Sequence, residues 1–202
     1  MDLIVASHNA GKLKEYREIL EPLGFTVFSQ DEKQIMDEVE ETGSTFEENA
    51  LLKARAVYDH CHVCVISDDS GLEVEALGNA PGIYSARYLG LQTEHERRMA
   101  VLKALEGREN RRARFVCCIC FMDAQGEAHF FTGCWGGRIA YREEGSSGFG
   151  YDPIFISDDA QGRTTASLPI SFKETYSHRA RAVRLLLEYL ENHPEGDGVY
   201  GI

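Results

Sequence analysis

The stretch that most constrains this chain is Val63–Gly71, read VCVISDDSG. An apolar run with β-branched residues predicts a buried strand, and it halts at two adjacent carboxylates, Asp68 and Asp69, followed by Ser70 and Gly71. In open α/β sheets ligands bind at the carboxyl ends of strands, so acidic groups delivered there bear on chemistry. Two carboxylates can hold a divalent cation, or one can act as a general base. The same residue types also make an ordinary turn after a strand. If the extended geometry persists, alternation sends Asp68 and Asp69 to opposite sides, and spacing alone does not say which faces a ligand.

Whole-chain properties narrow the options. A length of 202 residues suits one domain, or one with two lobes, and allows a sizeable core. A formal net charge of −12 argues against general nucleic-acid binding, which needs a broad basic surface. A small anionic substrate then requires local cations or a metal. Leu3–Ala6 is too short for a secretory apolar segment and lacks a basic prelude, and no run approaches a membrane span, so the expectation is a cytosolic protein. Cys61 and Cys64 form a C-x-x-C, while Cys117, Cys118 and Cys120 sit within an apolar strand. Zinc binding would want two well-spaced pairs, or nearby histidines in loops, so buried, reduced thiols are expected instead.

Taken in order, Asp2–Ala6 reads as a strand. Ser7-His8-Asn9-Ala10-Gly11-Lys12 leads into a helix with Leu13, Tyr16, Ile19, Leu20 and Leu23 at helical spacing, ended by Pro22 and Gly24. A strand, a short Asn/Gly/Lys loop and a helix N-terminus can cradle phosphate, although G-x-x-x-x-G-K-[ST] is absent and a plain strand-to-helix turn is the alternative. Phe25–Phe28 reads as a second strand and Asp31–Glu41 as an acidic surface segment. Ser44 and Thr45 with Glu47 and Glu48 offer two overlapping capping boxes for a helix over about 45–58, on which Asn49 and Lys53 share a face.

Gly78–Tyr88 reads as an ordered loop and Thr93–Leu105 as a helix with Met99, Leu102 and Leu105 inward. The arginines of 108–114 read as a solvated connection. Arg114–Met122 and Ala128–Cys134 form a hairpin, with the β region continuing over Trp135–Tyr141. Gly145–Asp152 (GSSGFGYD) presents Phe149 and Tyr151 as a pocket wall suited to stacking, or as a tight turn. A short strand is expected at Pro153–Ile156. Ser171–Ser177 leads into a final helix burying Ala182, Leu185, Leu186, Tyr189 and Leu190, with Lys173, His178 and Arg179 at or before its first turn. Cations there oppose the helix dipole, which points to a ligand acceptor. The tail from Asn192 onward is expected to fray.

Five separated segments together resemble the inosine triphosphate pyrophosphatase family, enzymes that hydrolyse ITP, dITP and XTP. They are SHNAGK at 7–12, EETGSTFEENALLKA at 40–54, SDDSGLEVEALGNAPGIYSARY at 67–88, GFGYDPIF at 148–155 and SHRARA at 177–182. His8 departs from the family, which more often has a small residue after its Ser or Thr. The resemblance implies an α/β fold: an elongated central mixed sheet flanked by helices, in two lobes with a nucleotide cleft between them, spanning 1–193 and leaving 194–202 as a tail. It also implies a homodimer, dependence on Mg²⁺, a purine nucleoside triphosphate substrate, and no nucleic-acid or membrane partner. Carried over by residue, Ser7, His8, Asn9, Ala10, Gly11 and Lys12 bind the triphosphate with Lys53. Glu40 and Asp69 hold the metal, Glu41 being the alternative to Glu40, and Asp69 is also the base. Ser70 contacts substrate, while Phe149, Gly150, Tyr151, Asp152, Lys173, His178 and Arg179 form the base pocket. Two other readings are a non-catalytic nucleotide sensor and a haloacid-dehalogenase-like phosphatase, whose D-x-D-x-T signature is missing.

Overall fold

The computed structural model describes residues 2–36 and 39–193, so the tail at 194–202 lies outside the described residues. Six strands form one mixed sheet in the order β2-β1-β3-β4-β5-β6: β1 (Asp2–Val5), β2 (Thr26–Ser29), β3 (Val65–Val74), β4 (Arg112–Met122), β5 (Ala128–Ile139) and β6 (Phe155–Ser157). β1 runs parallel to β2 and to β3, with Ile4 opposite Val65, and β6 is antiparallel to β5. The helices are α1 (Ala10–Leu20), α2 (Phe46–Cys61), α3 (Glu94–Ala104), α4 (Ile170–Tyr176) and α5 (His178–Asn192). The described residues fall into two compact units, one from 2–36, 39–69, 117–133 and 179–193, the other from 70–116 and 134–178.

In the first unit, strand alternation assigns residues to two separate cores. Leu3, Val5, Cys64, Ile66, Cys117, Ile119 and Phe121 pack with Tyr16 and Leu20 of α1 and with Ala182, Val183, Leu186 and Leu190 of α5. Ile4, Val65, Cys120 and Met122 pack instead with Ala50, Ala54 and Val57 of α2. Covering both faces explains why these strands read as continuous apolar runs. It also accounts for the cysteines of β4 as packing atoms, and burial pushes the Cys118 and Cys120 thiols up to about 11 and about 12. The C-x-x-C is likewise unbridged, with Cys64 buried and Cys61 half-buried.

The second unit centres on Leu72, Val74, Val101, Leu105, Phe115, Trp135, Tyr151, Ile154 and Phe155. β3 therefore does not stop at the carboxylates, as its sequence suggests, but runs on to Val74. Burying Leu72 and Val74 completely stabilises extended backbone by about 1.5–3 kcal/mol each, whereas strand propensities span only about 1 kcal/mol. Gly71 is not a turn residue either. A Cβ there would collide with Gly82 O and Ser85 Oγ, and the Ser85 hydroxyl accepts the Leu72 amide at 2.9 Å.

Other expectations shift for similar reasons. Met99 and Leu185 face solvent, and Val101 takes the inward position on α3. Tyr151 is buried rather than displayed, its hydroxyl donating to Ser85 O at 2.9 Å. Arg111 is no solvated connector: it is buried and donates to the carbonyls of Leu105, Ile139 and Ala140. The 170–176 segment is a helix of its own, so Lys173 sits in the last turn of α4 rather than before α5.

Candidate active site

In the first unit, the local chemistry of two helix starts builds the site. Asn9 caps α1 by accepting the Lys12 amide at 3.1 Å, and Ser7 Oγ accepts the Asn9 amide at 3.1 Å. Ala10 and Gly11 open the helix, so Ser7–Lys12 forms a short turn at an N-terminus, the arrangement that favours anions. His8 turns away to Asp31 at 2.9 Å and Gln30 at 3.0 Å, which gives the unusual side chain a place on the loop after β2. The two expected boxes do not form separately: Thr45 caps α2 by accepting the Glu48 amide, and the Glu48 carboxylate accepts the Ser44 amide and hydroxyl, so one cap draws on both. Glu48 is held below its ordinary value chiefly by those bonds from Ser44.

The α2 caps fix the register that brings Asn49 and Lys53 onto Asp69. Asn49 Nδ2 donates to Asp69 Oδ2 at 3.1 Å, and Lys53 Nζ lies 3.5 Å from Asp69 Oδ1 and 2.7 Å from Glu41 Oε1. Burial raises the Asp69 carboxyl above its ordinary value. Lys53 opposes that and Glu41 adds to it. Burial lowers the Lys53 ammonium, but Asp69, Asp68 and Glu41 outweigh it and the net shift is upward. Glu40 is exposed, whereas Glu41 is the neighbour on Lys53.

Asp68 has the opposite environment, on the other side of the strand. Its Oδ2 lies 2.9 Å from Lys12 Nζ and 3.1 Å from Arg179 Nη2, and Cys117 Sγ approaches at 3.7 Å. Burial alone would raise this carboxyl, but Lys12, Arg179 and Lys53 hold it far below the carboxylate range. Its Oδ1 is buried with no hydrogen-bond partner. Arg179 is fully buried and also pairs with Glu15 of α1. Burial pushes the nearby Tyr16 hydroxyl and Cys117 thiol up, and Asp68 pushes them further.

The second unit holds the other cluster. Lys173 Nζ donates to Asp152 Oδ2 at 2.8 Å, both residues being buried, and the same oxygen accepts the Phe149 amide at 3.0 Å. Thr165 Oγ1 lies 3.0 Å from Asp152 Oδ1, and the Phe149 ring sits 4.7 Å from Lys173 Nζ. Gly148 has φ +77°, and a Cβ there would strike the Asp152 carboxylate. His178 stacks on Phe115 at 4.8 Å, and Ser70 is half-buried in β3.

Of the residues singled out in the sequence, Lys12, Lys53 and Asp69 thus meet in one charged cluster. Phe149, Gly150, Asp152 and Lys173 share another, while Tyr151 turns into the core. Arg179 goes to Asp68 rather than to Lys173. Asn49, Glu41 and Glu15 join the first cluster. The first shares a helical face with Lys53, the second neighbours a singled-out acid, and Glu15 carries no signal in the sequence. Asp123, Glu127 and His129 also offer ligand atoms within 4.8 Å of one another. There, however, Asp123 Oδ1 accepts the amides of Gln125 and Glu127 and so closes the turn between β4 and β5.

A mixed sheet covered by helices, with two buried carboxylates on one strand beside lysines of α1 and α2, defines an α/β protein with a buried cluster of paired charges. The chain belongs to the Ham1 family, whose model matches residues 3–189. It is 46% identical to the dITP/XTP pyrophosphatase of an Exiguobacterium species over 187 residues, covering 92% of this chain and 95% of that one. It is 45% identical to the dITP/XTP pyrophosphatase of Bacillus subtilis, covering 94% and 97%. The solved Ham1 protein of Staphylococcus aureus superposes with a TM-score of 0.85 at 41% identity, covering 96% of this chain and all of that one.

Proposed function

We propose that this protein hydrolyses non-standard purine nucleoside triphosphates such as dITP, XTP and ITP to the monophosphate and pyrophosphate. Kinship over nearly the whole chain with proteins named dITP/XTP pyrophosphatases supports the substrate class. The observation that carries the chemistry is the Lys53 ammonium lying between Glu41 and Asp69. It marks a point on which two carboxylates converge and at which positive charge is held.

That point also fits a divalent cation. Carboxylate oxygens are the hard donors Mg²⁺ takes, so Asp69 with Glu41, or with Glu40 beside it, would hold the ion. When bound, it supplies charge neutralisation on the phosphates and acidifies water. The remaining work falls to the chain. Ser7–Lys12 receives phosphate oxygens on backbone amides and on the Lys12 ammonium, and Lys53 adds a second cation. Asp69 accepts the proton of the water that attacks the α-phosphorus, and pyrophosphate leaves as the α–β bond breaks. A raised carboxyl is better suited to that than an ordinary one. Asn49 donates to Asp69 Oδ2 and so fixes the orientation of the carboxylate.

Base choice is assigned to Lys173, Asp152 and Phe149, with His178. Hypoxanthine and xanthine present a C6 carbonyl that accepts from a donor such as Lys173, whereas adenine presents an amino group there. A site built for one hydrogen bond can reject its mismatch by about 10⁴–10⁵. The same reading includes a homodimer working in the cytoplasm. No described helix is long and apolar enough to cross a membrane.

The test is hydrolysis of ITP, XTP, dITP, GTP and ATP with and without Mg²⁺, with the product identified. Pyrophosphate from the first three is expected. Orthophosphate would indicate phosphatase chemistry, and binding without turnover would indicate a sensor.

A further inference from the structure

The loop that carries Phe149 and Asp152 is a poor candidate for intrinsic order. Within GSSGFGYD, Gly145, Gly148 and Gly150 all have positive φ, at +83°, +77° and +60°, and residues 144–148 are exposed. Glycines cost the most backbone entropy to fix. Groups that discriminate between two bases by one hydrogen bond must nevertheless be held still.

A residue outside the loop supplies the restraint. Arg98, on α3, has a side chain only 13% exposed. Its Nη1 donates to Gly150 O at 2.8 Å and its Nε donates to Glu143 Oε1. Glu143 stands just before the loop and Gly150 near its end, so one guanidinium spans it. The neighbouring turn of α3 reinforces the grip, with His95 Nδ1 at 3.0 Å from Glu143 and Glu94 at 3.5 Å from Arg98. Gly150 sits between Phe149 and Tyr151, and Tyr151 is anchored to Ser85, so holding the Gly150 carbonyl fixes the Gly150–Tyr151 peptide, which lies between Phe149 and Asp152. The planar fork matters, because it presents Nε and Nη1 to the two acceptors in a fixed geometry that a flexible ammonium does not share.

We infer that Arg98 is a positioning residue for base selection, clamping the 145–152 loop so that Phe149, Asp152 and Lys173 present a fixed set of groups. This rests on the proposed function, since it presumes that the loop meets the base.

The test measures kcat and KM for ITP and for ATP in wild type, Arg98→Met, Arg98→Lys and Glu143→Gln, together with thermal unfolding of each. For Arg98→Met, KM for ITP should rise about tenfold and the ITP-over-ATP ratio of kcat/KM should fall by a similar factor, with kcat changed far less. Arg98→Lys should fall between the two and Glu143→Gln should have the smaller effect. Wild-type KM and selectivity in Arg98→Met, or an equal loss of kcat for both substrates, would overturn the inference. If Arg98→Met fails to fold, Arg98→Lys and Glu143→Gln decide by the same ratio. Should the wild type release no pyrophosphate from any triphosphate, the proposed function fails on its own. Amide exchange over 148–152 then judges the clamp: faster exchange in Arg98→Lys supports it, and unchanged exchange removes it.

Discussion

The charged clusters of the two units are made from the same parts, buried carboxylates beside lysines, yet they differ in how completely their charges are settled. In the second unit Asp152 receives an ammonium, an amide and a hydroxyl, so each oxygen has a donor. In the first, two adjacent carboxylates on one strand are driven in opposite directions: Asp69 upward by burial, and Asp68 downward by Lys12, Arg179 and Lys53 despite burial. Neighbouring titratable groups pushed apart are the pattern by which one site obtains both a proton acceptor and a fixed charge. In the proposed reading the evenly matched pair serves recognition, and the two acids shifted in opposite directions serve chemistry.

The largest effect should come from removing the acceptor. Asp69→Asn keeps the shape and the contact with Asn49 but cannot take a proton. Turnover should fall by about 10²–10⁴, with nucleotide binding largely intact; near-normal pyrophosphate release would end the assignment. Asp68→Asn should act on stability instead, because it takes the shared carboxylate from Lys12 and leaves the buried Arg179 with Glu15. A loss of about 3–5 kcal/mol is expected at neutral pH, read by denaturant unfolding. The Asp68 carboxyl is held below its unfolded value of about 3.9. Its contribution is therefore present above that pH and is lost as pH falls toward the folded value. The gap between wild type and variant should accordingly shrink on acidification.

On the recognition side, Lys173→Ala should narrow the ITP-over-ATP preference. A hydrogen bond to a charged group is worth about 1.5–3 kcal/mol, or roughly 10- to 150-fold. Unchanged selectivity would move base recognition away from Lys173 and, with it, from the loop that Arg98 holds.

Much of this was legible in the residues, and the exceptions share a cause. Alternation in β1, β3 and β4, the caps of α2 and the shared face of Asn49 and Lys53 are local signals, and local geometry delivers them. The continuation of β3 through Asp-Asp-Ser-Gly was not legible, because the burial of Leu72 and Val74 and the approach of Gly82 to Gly71 are tertiary facts. Arg179 beside His178 reads as one cationic pair, yet consecutive positions on a helix point apart. One meets Asp68 and the other Phe115. Arg98 carries no signal in the sequence, since nothing in its neighbours announces a carbonyl 52 residues away.

The smallest effects separate Glu40 from Glu41. Glu41 reaches Lys53 and adds to the upward shift of Asp69, while Glu40 is exposed. Replacing Glu41 by Gln removes one of two convergent carboxylates, so the Mg²⁺ concentration for half-maximal activity should rise at least about tenfold, the low end for loss of a metal-supporting group. Glu40→Gln should change it by no more than about twofold, as for a surface substitution within 0.5 kcal/mol. The Glu41 variant should also relieve part of the upward shift on Asp69, which moves the acid limb of the pH–rate profile to lower pH. A tenfold effect at Glu40 with none at Glu41 would reverse the pairing, and the cation would then sit away from Lys53.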